Sequence, residues 1–297
     1  MSKSNFFVPY YGNKYRETAL SIEKGLAGID WSKVKVVIEP FCGSAGFSRY
    51  IHYNIPEYKG DYIWADIDEG LIAFINAVKD GKFPDLFAQM KKDAATITDK
   101  EKFHTYHKNL DVTTASGWYS QKRIRGGFRA TLFDADAVKR VGNSQSDRLK
   151  PLIELITSGR ISAVLQDSKK TAEDAMNLAK KHGRGSVVVF CDPPYFQSCN
   201  SFYSSAVNST NLQAEQGDNR YTEPDKSGTF CDILDIMRDS NVYAISVLNH
   251  SHLMAMFFKG FVVHIYDKAY SLSHHNKKTG EQYKKYTKHM IISNMKA

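Results

Sequence analysis

The chain has 297 residues, 42% hydrophobic and 24% charged, with four cysteines and a formal net charge of +8. That length accommodates one large domain or two unequal ones, and the balance excludes a disordered chain, a collagen-like fibre and a disulfide scaffold. No apolar run approaches the ~18 residues of a membrane span, and Met1-Ser2-Lys3-Ser4-Asn5-Phe6-Phe7 is not a secretory leader. Cys42, Cys191, Cys199 and Cys231 form no C-x-x-C pair, and the histidines, His274-His275 included, show no ligand spacing. A reducing, intracellular compartment and no metal are the expectations.

In chain order, Val34-Lys35-Val36-Val37-Ile38 is a short β-branched run that predicts a buried strand, ending at Glu39-Pro40. Tyr62-Ile63-Trp64-Ala65 predicts a second strand, followed by Leu71, Ile72, Phe74, Ile75 and Val78 at helical spacing. Residues 86–158 are polar and basic, with a loop-like Arg125-Gly126-Gly127, and read as a small, largely helical insert. Strands are then expected at 161–165, 186–190, 242–247, 261–265 and 289–292, with helices over 169–181 and 231–238. Residues 197–228, rich in Ser, Asn and Gln, read as a long surface loop. Strands alternating with helices define an α/β fold whose mostly parallel sheet is covered on both faces. The expected division is 1–85 and 159–297 as two halves of one domain, with 86–158 inserted between them.

The charge is unevenly spread. Residues 121–150 carry eight basic and three acidic residues, and 274–297 carry six and one, so each stretch contributes +5 while the remainder sums to −2. Basic patches on a nearly neutral body suit a polyanion, most often nucleic acid; solvated loops are the alternative.

Three motifs carry chemistry. Glu39-Pro40-Phe41-Cys42-Gly43-Ser44-Ala45-Gly46 follows the first strand, where small residues let backbone amides approach a ligand. It is not the dinucleotide G-x-G-x-x-G. Asp66 ends the second strand, where an acid accepts hydrogen bonds from ribose hydroxyls; a helix N-cap at Asp66 or Asp68 is the competing role. Asp192-Pro193-Pro194-Tyr195 follows Val187–Cys191. Its prolines remove N–H donors and leave carbonyls beside a carboxylate, a cluster of acceptors suited to an amine, with a tyrosine face for stacking a base.

Together with Phe7-Val8-Pro9-Tyr10-Tyr11-Gly12-Asn13-Lys14 ahead of them, these motifs in this order resemble the Dam-type (alpha-group) adenine-specific DNA amino-methyltransferases. The resemblance implies a Rossmann-like S-adenosylmethionine-dependent fold with a target-recognition insert. It further implies methyl transfer to the 6-amino group of a flipped adenine in double-stranded DNA. By position, Tyr11, Gly12 and Lys14 would close over the methionine part of the cofactor. Glu39, Pro40, Phe41 and Gly43 would form its turn, Asp66 with Ile67 would hold the ribose side, and Asp167 would contact its adenine unless it only caps a helix. Asp192, Pro193, Pro194 and Tyr195 would form the target-base pocket. Lys122, Arg123, Arg125 and Arg129 are the candidate DNA contacts, and the C-terminal lysines suit the DNA backbone. A cognate restriction endonuclease is the further partner implied. Ala45 stands where the family's F-x-G-x-G has its second glycine, and the insert matches the family only loosely. An RNA adenine methyltransferase, or a nucleic-acid-binding protein that has lost catalysis, is the alternative function.

Overall fold

The computed structural model describes residues 6–8, 13–124, 133–142, 146–193, 226–275 and 282–295. Among them, seven strands form one sheet: β1 (Val36–Glu39), β2 (Asp61–Asp66), β3 (Ile161–Leu165), β4 (Val187–Cys191), β5 (Val242–Asn249), β6 (Val262–His275) and β7 (Gln282–Ser293). Their order is β3-β2-β1-β4-β5-β7-β6. The first five are parallel, while β7 runs antiparallel to both β5 and β6.

The sheet is covered on both faces, which is why β1 as far as Ile38 and all of β4 are apolar without alternation, and both strands are buried throughout. Val37, Val188, Phe190, Ile245 and Val247 point into one core; Val36, Ile38, Val187, Val189 and Leu248 point into the other. The first core is filled by α2 (Gly46–Asn54) and α3 (Glu69–Lys79). The second is filled by α9 (Ser168–His182), through Ala172, Ala175 and Ala179, and by α10 (Lys226–Arg238) and α11 (His252–Phe257). No described helix is long and apolar enough to cross a membrane.

Between β2 and β3 run α4 (Phe83–Thr96), α5 (Lys100–Lys108), α6 (Ala115–Arg123), α7 (Ala135–Gly142) and α8 (Lys150–Thr157). Their apolar residues continue the first core. Phe74 of α3 stacks on Trp118 and Tyr119 of α6, at ring separations of 5.2 and 4.9 Å. The indole N–H of Trp118 donates to Asp68 (3.1 Å). The N-terminal segment joins the same core: Phe7 is fully buried against Phe74 and Phe83.

Two boundaries differ from the sequence expectation. The hairpin β6–β7 extends well beyond 261–265 and 289–292, because Tyr283-Lys284-Lys285-Tyr286-Thr287-Lys288 offers no apolar run to mark a strand. The helix expected from 231 begins at Lys226, inside the stretch read as loop, and the rest of that stretch lies outside the described residues.

Candidate active site

The parallel strands end along one edge, and the motif residues collect there. After β1 the chain turns sharply: Gly43 (φ 45°) and Ala45 (φ 50°) both adopt left-handed backbone. For alanine that conformation costs about 1–2 kcal/mol, a cost that glycine at this position would not carry. Ala45 is held by a bond from its N–H to the Cys42 carbonyl (2.5 Å) and by complete burial. It has no side chain to cap α2, and Glu39 does so from the end of β1, accepting from the Ser48 N–H (2.8 Å). Burial pushes the Glu39 carboxyl up to about 7, against the hydrogen bond from Ser48 and the nearby Arg49.

Asp66 and Asp68 divide the two roles that the sequence left open. Asp68 caps α3 by accepting from the Leu71 N–H (3.1 Å). Asp66 instead accepts from the Gly43 N–H (2.9 Å) and the Asp68 N–H (3.0 Å), which ties the end of β2 to the turn after β1. Burial raises its carboxyl to about 6, opposed by those two backbone donors. Next to it Ile67 is 76% exposed, and Leu165 at the end of β3 is 55% exposed. Two large aliphatic side chains standing open beside a hydrogen-bonding carboxylate suit a ligand with a flat apolar ring and a hydroxylated sugar. Asp167 lies one turn further on and caps α9, accepting from the Lys170 N–H (2.8 Å). Pro40 is buried and Phe41 half-buried, so both support the turn from below.

At the end of β4 stands Asp192, with Pro193 buried behind it. The Lys14 ammonium donates to both Asp192 oxygens, Oδ1 at 2.6 Å and Oδ2 at 2.7 Å, a contact that the sequence did not announce. The lysine is 5% exposed and the aspartate 21%. Burial raises the Asp192 carboxyl, and the Lys14 ammonium opposes that rise. The Lys14–Arg16 turn reaches this place because Gly46 leaves room for it. A Cβ on Gly46 would come within 2.8 Å of both Asn13 Oδ1 and the Tyr15 N–H nitrogen. Beneath the site, Phe47 of α2 stacks flat on Phe190 of β4 (4.3 Å, 9° between rings), so the turn after β1 and the end of β4 rest on one aromatic pair.

Arg49 was not anticipated. Fully buried in α2, it donates from Nε to the Ser44 carbonyl (2.8 Å) and from Nη2 to Asn13 (3.3 Å), and lies over the Phe6 and Tyr15 rings. It thus fastens the turn after β1 to the N-terminal segment. No motif announced it, since a lone arginine in a helix reads as surface.

The candidate DNA contacts fare differently. Lys122, expected on the surface, is 8% exposed and lies along the Trp118 ring, where an aliphatic stem packs well. Arg123 is half-buried and donates to the Phe7 carbonyl (3.5 Å). Both face the body of the protein because α6 turns its last residues toward the N-terminal segment. Tyr11, Gly12, Arg125, Arg129, Pro194 and Tyr195 lie outside the described residues. Cys42 and Cys191 are buried, and burial raises both thiols, in keeping with packing rather than nucleophilic roles.

A mostly parallel sheet of this order, with its motif residues along the carboxyl edge, fits the fold of an S-adenosylmethionine-dependent methyltransferase. Residues 10–254 match the model of the D12 class N6 adenine-specific DNA methyltransferases, and the chain belongs to that family. Its activity is accordingly methylation of adenine in DNA. No curated protein matches the chain.

Proposed function

We propose that this enzyme is a Dam-type, alpha-group member in which Asp192 and the Pro193 carbonyl receive the 6-amino group of an adenine extruded from double-stranded DNA. The observation carrying the proposal is the placement of Asp192 at the end of β4, held by Lys14 beside the turn that joins Gly43 to Asp66.

Asp66 would hold the ribose of S-adenosylmethionine, with Ile67 and Leu165 against its adenine and Gly43 close to its backbone. Glu39, Pro40 and Phe41 would support that turn, and Asp167 would border the adenine. Tyr11, Gly12 and Lys14 would border the methionine part. When bound, the cofactor supplies an electrophilic methyl group on a sulfonium. The adenine amine is a poor nucleophile because its lone pair is delocalised into the ring. Acceptors for both amine hydrogens localise that lone pair and stabilise the positive charge that develops on nitrogen. An ionised Asp192 does this better than a protonated one, and Lys14 favours the ionised form. Asp192 need not act as a strong base, because the methylated, charged amine is acidic and sheds its proton afterwards. Holding amine and methyl donor in line supplies much of the remaining acceleration. Pro194 and Tyr195 complete the pocket, with Tyr195 stacking on the extruded base.

Residues 86–158 serve as the recognition insert between catalytic halves at 1–85 and 159–297. Within it Arg125 and Arg129 contact DNA directly, while Lys122 and Arg123 support them from the end of α6. A restriction endonuclease sharing the target site is the proposed partner.

The test is single-molecule sequencing of DNA from adenine-methylation-free cells that express the protein. N6-methyladenine at one recurrent sequence supports the proposal. Methylation without sequence preference contradicts the recognition insert, and modified cytosine in place of adenine contradicts the pocket.

A further inference from the structure

The Lys14–Arg16 turn carries charges at both ends, and they point to different places. Lys14 reaches Asp192, whereas Glu17, buried, reaches the hairpin β6–β7. Glu17 accepts from the Tyr266 hydroxyl (2.5 Å) and from the Lys268 ammonium, and His289 Nδ1 of β7 lies 3.3 Å from its carboxylate. The two ends are locked together by the backbone, since the Glu17 N–H and the Thr18 hydroxyl both donate to the Lys14 carbonyl, each at 2.9 Å. All three hairpin partners lie beyond residue 254, where the family match ends.

The electrostatics join the ends as well. Burial together with Lys14 and Arg16 lowers the Lys268 ammonium to about 8. Burial, Lys14 and Lys268 push the His289 ring down to about 3, against the pull of Asp192, so the ring is neutral at physiological pH. Among the described residues, Lys14, His289, Cys191 and, from β1, Glu39 are the charged or titratable groups that act on Asp192; Tyr266, Lys268 and His289 are those that meet Glu17. Glu17 therefore compensates a second, half-buried ammonium, Lys268, whose charge and that of Lys14 oppose each other.

We propose that Glu17 is a positioning residue for methyl transfer: by anchoring the Lys14 turn to hairpin β6–β7, it fixes the ammonium against the carboxylate that receives the target amine. This rests on the reading of Asp192 as amine acceptor. It makes the hairpin, and not the motif-bearing strands alone, part of the catalytic apparatus.

The test measures kcat and cofactor KM across pH on duplex genomic DNA free of adenine methylation, using the full chain. Glu17→Ala is expected to lower kcat about tenfold or more, with KM for the cofactor within about threefold. The acid limb of kcat should move to higher pH, as it should in Lys14→Met, because Asp192 loses its counter-charge. Glu17→Gln, which keeps an acceptor for Tyr266 and Lys268, should recover most of kcat. In the Lys14→Met background Glu17→Ala should cost no more than about threefold further, since it acts through Lys14. Fully multiplied losses, or an unmoved pH profile, would overturn the proposal. Where Glu17→Ala does not fold, Tyr266→Phe carries the test. A kcat loss seen with Lys14 present and absent in Lys14→Met supports the proposal, and equal losses in both overturn it. Absence of methyladenine with the unaltered protein would defeat the reading of the enzyme itself; methyladenine with indifferent Glu17 variants defeats only the positioning role.

Discussion

At the β1–β2 end of the site, Glu39 and Asp66 take backbone N–H donors from Ser48 and Gly43, nine and 23 positions away. At the β4 end, Asp192 takes a lysine ammonium from 178 positions away. The first arrangement joins the turn after β1 to the end of the adjoining strand β2, and its acids are raised by burial. The second is a charge pair assembled by the tertiary fold, through a glycine that admits the N-terminal turn and a hairpin that holds it. On the proposed reading, the cofactor meets backbone donors on adjoining strands, and the amine acceptor is tuned by a contact remote in sequence.

The difference can be broken from either end. The largest effect is expected for Lys14→Met, which leaves burial unopposed on Asp192. Methyl transfer should fall by about 10–100-fold near neutrality, with partial recovery at higher pH, in a pH–rate profile. An unshifted profile would mean that the pair does not set the state of Asp192. Gly46→Ala should act on the same pair by displacement. Its Cβ meets backbone at Tyr15 and Lys14, which cannot swing aside. Destabilisation by about 2–3 kcal/mol in urea, with loss of transfer rate, is expected.

At the other end, Glu39→Gln separates charge from capping, because the amide oxygen can still accept from Ser48. The Glu39 carboxyl is raised from 4.5 to about 7, so the folded state holds its proton more tightly than the unfolded chain. Its contribution to stability is full below 4.5 and is lost as pH rises through 7, about 2 kcal/mol between pH 5 and 7. Denaturation as a function of pH should show that slope in the natural protein and a flatter one in the variant. Part of the slope should remain, since Asp66 is raised in the same direction. The smallest effect is expected for Ala45→Gly. Relief of left-handed backbone is largely offset by the extra freedom of glycine when unfolded, so stability should rise by no more than about 1 kcal/mol. A marked loss would show that the alanine methyl is packed to advantage.

The strands were legible because burial on both faces leaves β1 and β4 without polar interruption, and the motifs were legible because they sit where those strands stop. The pairing of Asp66 with Gly43 rather than with a helix end was not decidable from two aspartates in A-D-I-D, since either can cap. Lys14 was singled out for its motif, but its pairing with Asp192 was not readable, because the direction of a long side chain depends on what Gly46 and the hairpin permit. Lys122 was misplaced for a related reason: a basic stretch does not say which of its members lies along a tryptophan. Arg49 and Glu17 gave no local signal, since Asn13 and Tyr266, which they tie in, are remote from them in sequence.

On the proposed reading, Asp192 receives the target amine rather than the cofactor. Single-turnover methyl transfer to duplex DNA, measured for Asp192→Ala beside calorimetric cofactor binding, tests it most directly. Transfer should slow by about 10²–10³-fold or more while cofactor affinity stays within about threefold. Transfer within threefold of the natural rate, or a loss explained by failure to bind the cofactor, would contradict it.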